Sequence, residues 1–138
     1  MRWSDGVLLT ADDVIFTWND VVMNPKIDNV RRDRFIIGGK TFELTKVDDL
    51  TIKVVTPEIY APLLEFFGGL PILPKHILAK AVADGTFISA YGVDSDPQDI
   101  VGSGPFRLKA YKPAQYTLLE RNPLFLPSGH QGPAPAVF

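Results

Sequence analysis

The strongest constraint on folding lies in the first two dozen residues. Trp3-Ser4-Asp5-Gly6 has turn composition, and Leu9-Thr10-Ala11-Asp12-Asp13-Val14 follows after a short gap. Thr10 suits an N-cap, and Asp13, three residues on, completes a capping box with Asp in place of Glu. Asp12 and Asp13 also lie favourably against the positive end of the helix dipole. Val14, Ile15, Trp18, Val21 and Val22 then recur as one apolar stripe, so an amphipathic helix is expected up to about Met23. Asn24-Pro25 stops it, because the residue before a proline avoids the helical region. Trp18, among aliphatics at helical spacing, reads as core. The chain opens inside an organised motif, which leads us to expect a piece of a larger protein.

Residues 24–40 read as irregular and close on Gly38-Gly39. Phe42–Val47 and Thr51–Val55 alternate apolar and polar, and Asp48-Asp49 between them has turn chemistry, which predicts a β-hairpin. Pro57 ends it. A short helix is expected around Ala61–Phe67, with Pro62 tolerated in its first turn. Gly68-Gly69-Leu70-Pro71-Ile72-Leu73-Pro74 is apolar and punctuated, which suggests a buried crossover. A helix over Lys75–Val82 should stop near Asp84-Gly85. Residues 84–100 read as loop, with Phe87, Ile88 and Tyr91 as anchors. A second hairpin pairs Phe106–Tyr111 with Tyr116–Arg121 across Lys112-Pro113-Ala114-Gln115. The tail 128–138 is expected to be loose. The local order is therefore α+β: an N-terminal amphipathic helix, short helices and two β-hairpins.

The 138 residues suit one domain or two small lobes, and 46% of them are hydrophobic, enough for a core. Fourteen basic against 16 acidic residues leave a net charge of −2, with no long basic stripe for nucleic acid or a membrane surface. Arg31-Arg32-Asp33-Arg34 comes nearest and reads as a solvated loop, over a phosphate site. No cysteine is present, which excludes disulfides, thiolate zinc sites and cysteine nucleophiles. No apolar run approaches the ~20 residues of a bilayer span. No signal peptide is read at the start, since Met1-Arg2-Trp3-Ser4-Asp5 leads into no apolar h-region.

Catalytic patterns are weak. His76 and His130 are the candidate bases. His76 is expected at a surface or cap-adjacent position, and His130 lies in the tail. Ser103 sits in Val101-Gly102-Ser103-Gly104-Pro105, which fails the G-x-S-x-G spacing and precedes a strand where that motif needs a helix. Asp48 and Asp49 are read as turn residues. Neither a Walker A nor a G-x-G-x-x-G sequence occurs. We therefore expect no catalytic residues, no metal site, no cofactor and no enzyme. A small hydrolase built on Ser103 and His76 is the weakest alternative.

The same residues resemble a known family. Trp3-Ser4-Asp5-Gly6 with Leu9–Val14 and Trp18 looks like the early signature of the family 5 extracellular solute-binding proteins, the oligopeptide, dipeptide and nickel-binding receptors of ABC importers. Three later stretches match in the same order: Val47-Asp48-Asp49-Leu50-Thr51-Ile52; Ile72-Leu73-Pro74-Lys75-His76-Ile77-Leu78; and Gly102-Ser103-Gly104-Pro105-Phe106-Arg107-Leu108 followed by Leu119-Glu120-Arg121-Asn122-Pro123. The similarity reaches about residue 125. Where the family usually has aromatics after asparagine-proline, this chain has Leu124-Phe125-Leu126.

The resemblance implies a fragment of a two-lobed, periplasmic-binding-protein-like (type II) receptor that closes on its ligand. It implies a small subdomain over 1–74 and a segment returning to the main N-terminal lobe over 75–138. It implies a peptide or similar small solute as ligand, ABC permease subunits as partners, and a periplasmic or extracytoplasmic parent. In some members a ligand-contacting side chain lies just before the proline-lysine. Here that stretch is Phe67-Gly68-Gly69-Leu70, which offers backbone groups and an apolar wall; the alternative is that Phe67 and Leu70 are core. A fragment of one lobe should not bind ligand alone. The competing expectation is a small self-associating or interaction protein, with the Gly68–Pro74 crossover and the hairpin edges uncovered.

Overall fold

A computed structural model describes residues 1–92, 94–125 and 136–137. They form two compact units. One comprises Thr10–Lys75; the other joins Met1–Leu9 to His76–Phe138.

The Thr10–Lys75 unit is organised by its first helix, α1 (Ala11–Phe16). The capping box forms as the sequence predicts. Thr10 Oγ1 accepts from the Asp12 N–H at 3.3 Å, and Asp13 Oδ2 accepts from the Thr10 N–H at 2.9 Å. The helix then continues through Thr17–Val22 as a π-helical turn, closed by the Met23 N–H on the Trp18 carbonyl. The widening has a visible companion: Thr17 Oγ1 donates to the Asp13 carbonyl one turn back, at 2.8 Å. It also changes which face is buried. Phe16, Thr17 and Trp18 are buried in succession, together with Val21 and Val22, whereas Val14 and Ile15 are only half-buried. The expected stripe is thus corrected at its start, because a constant 3.6-residue period does not hold through a π turn.

Trp18 is the hub of the core, with Val22, Phe35, Phe42 and Leu70. Its ring meets Phe35 edge-on at 4.9 Å and Phe42 at 6.1 Å between centroids. Arg32 ties the irregular segment to the helix end, donating to the carbonyls of Val22, Asn24 and Ile27. A 3-10 turn at Arg32–Phe35 leads into a two-residue hairpin that the sequence did not announce, β1 (Ile36–Ile37) with β2 (Lys40–Thr41). Gly38 and Gly39, at φ 57° and 78°, make its turn, a backbone that side chains resist. The predicted hairpin follows as β3 (Glu43–Lys46) and β4 (Ile52–Val55), with Leu44 opposite Val54 and both packed on the core. Asp48 Oδ1 accepts from the Leu50 N–H at 2.8 Å, so Asp48 is a turn residue.

Helix α2 (Leu63–Gly68) begins after Pro62, and the chain then runs without regular secondary structure to Pro74. That stretch is stitched to α1: the Leu73 N–H donates to Thr17 Oγ1 at 2.8 Å, and the Lys75 N–H to Asp13 Oδ1 at 2.9 Å. Leu70 and Pro74 are buried and Ile72 and Leu73 half-buried. Gly68, Gly69 and Pro71 are exposed, so the crossover is covered only in part.

In the other unit, the turn Trp3–Val7 closes through the Trp3 N–H on the Val7 carbonyl at 2.8 Å, with Gly6 at φ 95°. Trp3 is fully buried. Helix α3 (Lys75–Ala83) precedes a short α4 (Phe87–Ala90). Phe87 and Tyr91 are half-buried, and Tyr91 exchanges hydrogen bonds with the Val101 backbone. Ile88 is 80% exposed and is not an anchor, because the α4 turn points it outward. The second hairpin is β5 (Phe106–Lys112) with β6 (Tyr116–Arg121), its register shifted between Leu108 and Ala110. Asn122 is buried and closes the base, donating from its side chain to the Gly104 carbonyl at 2.8 Å. The expectation of a loose tail falls mostly outside the described residues; of those described, Ala136–Val137 (β7) pairs with β6. Among the described residues no helix is long and apolar enough to cross a membrane.

Candidate functional site

The four residues that the sequence singled out divide in two. Leu70 is buried in the core, and Phe67 packs partly buried on Trp18, 6.0 Å between ring centroids. Gly68 and Gly69 are exposed. The apolar side chains of the stretch therefore hold it down, and its outward surface is backbone. At Gly69 the absence of a side chain matters, since a Cβ there would lie 3.1 Å from the Glu65 carbonyl; at Gly68 it would meet nothing within 4 Å.

Beside this stretch is a cavity of about 240 Å³, with a floor of Phe35, Phe66 and Leu70 and a rim carrying Arg31, Arg34 and Glu65. Arg31 Nη1 reaches the Gly69 carbonyl at 3.5 Å. The Arg34 guanidinium lies 5.7 Å from the Phe66 ring centroid, a cation–π distance. The sequence treats these arginines as part of a solvated loop. What it misses is the 3-10 turn beneath them, in which residues three apart come to lie one above the other.

In the other unit, His76 Nε2 and Asp5 Oδ2 are 2.7 Å apart, and the Trp3 ring lies 6.4 Å from the imidazole. Burial opposes ionisation of Asp5, yet hydrogen bonds from His76 and the Val7 N–H, with the His76 charge, hold its carboxyl below the usual value. Ser4 Oγ accepts from the Gly102 N–H at 3.2 Å. A second hollow, of about 480 Å³, touches Ser4, Asp5, Gln98, Arg107, Lys109 and Glu120. Its charges are already paired: Glu120 accepts from Arg107 at 2.8 Å and lies 3.3 Å from Lys109, and those two bonds keep its carboxyl low. Among the described residues no cluster of histidine or carboxylate side chains is arranged to hold a metal.

Neither hollow brings a nucleophile, a base and an oxyanion donor to one point, whereas the first combines an apolar floor with exposed glycines and two exposed arginines. That is equipment for binding. Comparison with known proteins decides the lineage: residues 1–136 match the model of the bacterial extracellular solute-binding proteins, family 5, middle region. The chain belongs to this family.

Several relatives bear on the family 5 chain. It is 32% identical over 129 residues to a Deinococcus radiodurans protein named "Probable ABC transporter-binding protein", covering 91% of this chain and 22% of that one. It is 30% identical over 131 residues to the oligopeptide-binding protein AppA of Bacillus subtilis, covering 88% of this chain and 21% of AppA. The structure of that AppA with a nonapeptide superposes with a TM-score of 0.66, at 27% identity and 23% coverage of the larger chain. The ABC transporter substrate-binding protein CtaP of Listeria monocytogenes superposes at 0.71, with 29% identity and 23% coverage. The chain thus spans about a fifth of the curated relatives it matches. Its fold is one segment of a two-lobed periplasmic-binding-protein architecture. Family and fold are those of substrate-binding transport components.

Proposed function

We propose that this chain is part of the solute-binding receptor of an ABC importer, that the solute is peptide-like, and that Phe67-Gly68-Gly69-Leu70 contributes to the wall facing it. The observation that carries this is the match over residues 1–136 together with a fold shared with peptide-binding relatives. The exposed Gly68 and Gly69 beside an apolar floor support it, since they let a ligand approach closely while its side chains fill apolar hollows. The same reading places the parent outside the cytoplasm, with permease subunits as its partners. It assigns 1–74 to a small subdomain and 75–138 to the segment returning to the main lobe; the grouping of Thr10–Lys75 as one unit supports the later boundary.

Such receptors gain affinity by enclosing the ligand between lobes, so a segment of one lobe offers a fraction of the contact. We expect calorimetry of this chain against a peptide mixture to show no micromolar binding. The positive test is a chimera in which this chain replaces the matching stretch of B. subtilis AppA. It should bind the nonapeptide; a chimera that melts cooperatively but ignores peptides, or takes only oligosaccharides, refutes the peptide assignment. A smaller exchange of residues 61–75 provides the test if the larger graft does not melt cooperatively.

One observation favours a second reading, self-association. Val30, Ile59 and Leu64 of the Thr10–Lys75 unit are 87%, 103% and 86% exposed. Light scattering of a concentrated sample should then show dimers or larger species, and a clean monomer removes this alternative.

A further inference from the structure

We propose that the cavity bounded by Arg31, Arg34 and Gly69 is a carboxylate subsite, taking one carboxyl group of the solute with its adjoining apolar side chain on Phe35, Phe66 and Leu70. The proposal rests on the solute-binding assignment above and specifies the chemistry of that solute.

The two guanidiniums distinguish this cavity from other basic positions. Arg32, between them, is occupied by three main-chain carbonyls, and Arg107 is paired with Glu120. Arg31 uses one long bond to Gly69, and Arg34 makes no side-chain hydrogen bond among the described residues. Neither has a carboxylate within ion-pair distance among those residues. Both are exposed, and the main chain that carries them is held by its own hydrogen bonds. Arg31 N–H donates to Asn29 Oδ1 at 2.9 Å and caps the 3-10 turn, Arg34 N–H donates to the Arg31 carbonyl at 3.2 Å, and the Arg34 head rests on Phe66. The three-residue repeat of that turn brings both forks to one side.

A planar guanidinium with unused N–H groups matches a planar carboxylate in two parallel hydrogen bonds. Phosphate would find the charges but not the use of the apolar floor. Size agrees: about 240 Å³ is below the roughly 300 Å³ at which sites for whole small ligands begin, so it admits one end of a solute. Glu65 on the same rim opposes an anion and should weaken the site.

The test is an NMR titration of the isotope-labelled full chain with three probes. They are N-acetyl-leucyl-phenylalanine, its C-terminal amide, and an N-acetylated aspartyl-phenylalanine amide. The first presents a terminal carboxylate, the second none, and the third a side-chain carboxylate. We expect saturable shifts at the Gly69 amide and the Arg31 and Arg34 Nε–H signals in the millimolar range with the first or third probe, which also identifies the source of the group. The neutral amide should bind about tenfold more weakly or worse, and R31Q and R34Q should each cost about as much, as loss of a charged hydrogen bond predicts. R34K should fail to restore binding, E65Q should strengthen it, and K53Q, on β4 outside the cavity lining, should leave it unchanged. Melting curves confirm that each variant is folded. Equal binding of acid and amide, indifference to R31Q with R34Q, or no shift at tens of millimolar overturns the subsite. If the AppA chimera still binds peptide in that event, the solute assignment stands without it; if carboxylates bind here but the chimera takes no peptide, the assignment falls instead.

Discussion

Asp13 Oδ1 accepts a hydrogen bond from the backbone N–H of Lys75 at 2.9 Å, across 62 residues of chain. The other oxygen of the same carboxylate holds the N–H of Thr10 at 2.9 Å. The residues at which the Thr10–Lys75 unit begins and ends are therefore fastened to one buried side chain. Asp13→Ala leaves two main-chain donors without this acceptor and should cost about 2–4 kcal/mol in urea denaturation, given 1–3 kcal/mol per buried unsatisfied group. Asp13→Asn, which keeps an acceptor oxygen, should cost less.

Thr17 is the second fastening. Its hydroxyl donates to the Asp13 carbonyl and accepts from the Leu73 N–H, both at 2.8 Å. Thr17→Val keeps the shape and removes both bonds, so a loss of about 1–2 kcal/mol is expected from the abandoned Leu73 donor. Hydrogen exchange should quicken at Leu73 more than at Val54. Unchanged exchange at Leu73 would show that the bond contributes nothing.

The Asp5–His76 pair sets a pH dependence. The Asp5 carboxyl is held below its ordinary value in the folded protein, so the folded state binds fewer protons there than the unfolded state. Its contribution is fully present above the unfolded value of about 3.9 and is lost as pH falls through the lowered folded value. The stability difference between wild type and Asp5→Asn should therefore be largest above that range and shrink on acidification. A gap that is flat with pH would contradict the assignment.

Gly68 and Gly69 look equivalent in sequence but should respond differently. Gly68 ends α2 with open space at the Cβ position, so Gly68→Ala should be neutral or stabilise by up to about 1 kcal/mol. Gly69→Ala crowds the Glu65 carbonyl at 3.1 Å and should destabilise, as thermal melts of the two variants would show. Equal effects would mean that the backbone at 69 yields without cost.

Much of this architecture could be read directly. The capping box, the Asp48 turn and the two hairpins depend on neighbours in the chain, and they form where the local pattern puts them. The π turn did not declare itself: its Thr17 hydroxyl bonds both the local Asp13 carbonyl and the distant Leu73 N–H, and the second partner is set only by tertiary structure. Nor did the β1–β2 hairpin, whose strands are two residues each and carry no usable alternation. Of the candidate site, Phe67–Leu70 was singled out through family resemblance, whereas Arg31 and Arg34 were not. Their spacing suggests a charged loop until a 3-10 turn stacks them beside Phe66 and Gly69.

The amino-acid sequence by itself determined the capped first helix, the β3–β4 and β5–β6 hairpins, the position of Trp18 in the core and the family, because each depends on short-range pattern or on residues recurring in order. Tertiary structure decided which groups meet: Asp13 with Lys75, Thr17 with Leu73, His76 with Asp5, and two arginines over an apolar floor. Those pairings join residues far apart in the chain, and it is burial within each unit, not any local preference, that brings their ends together.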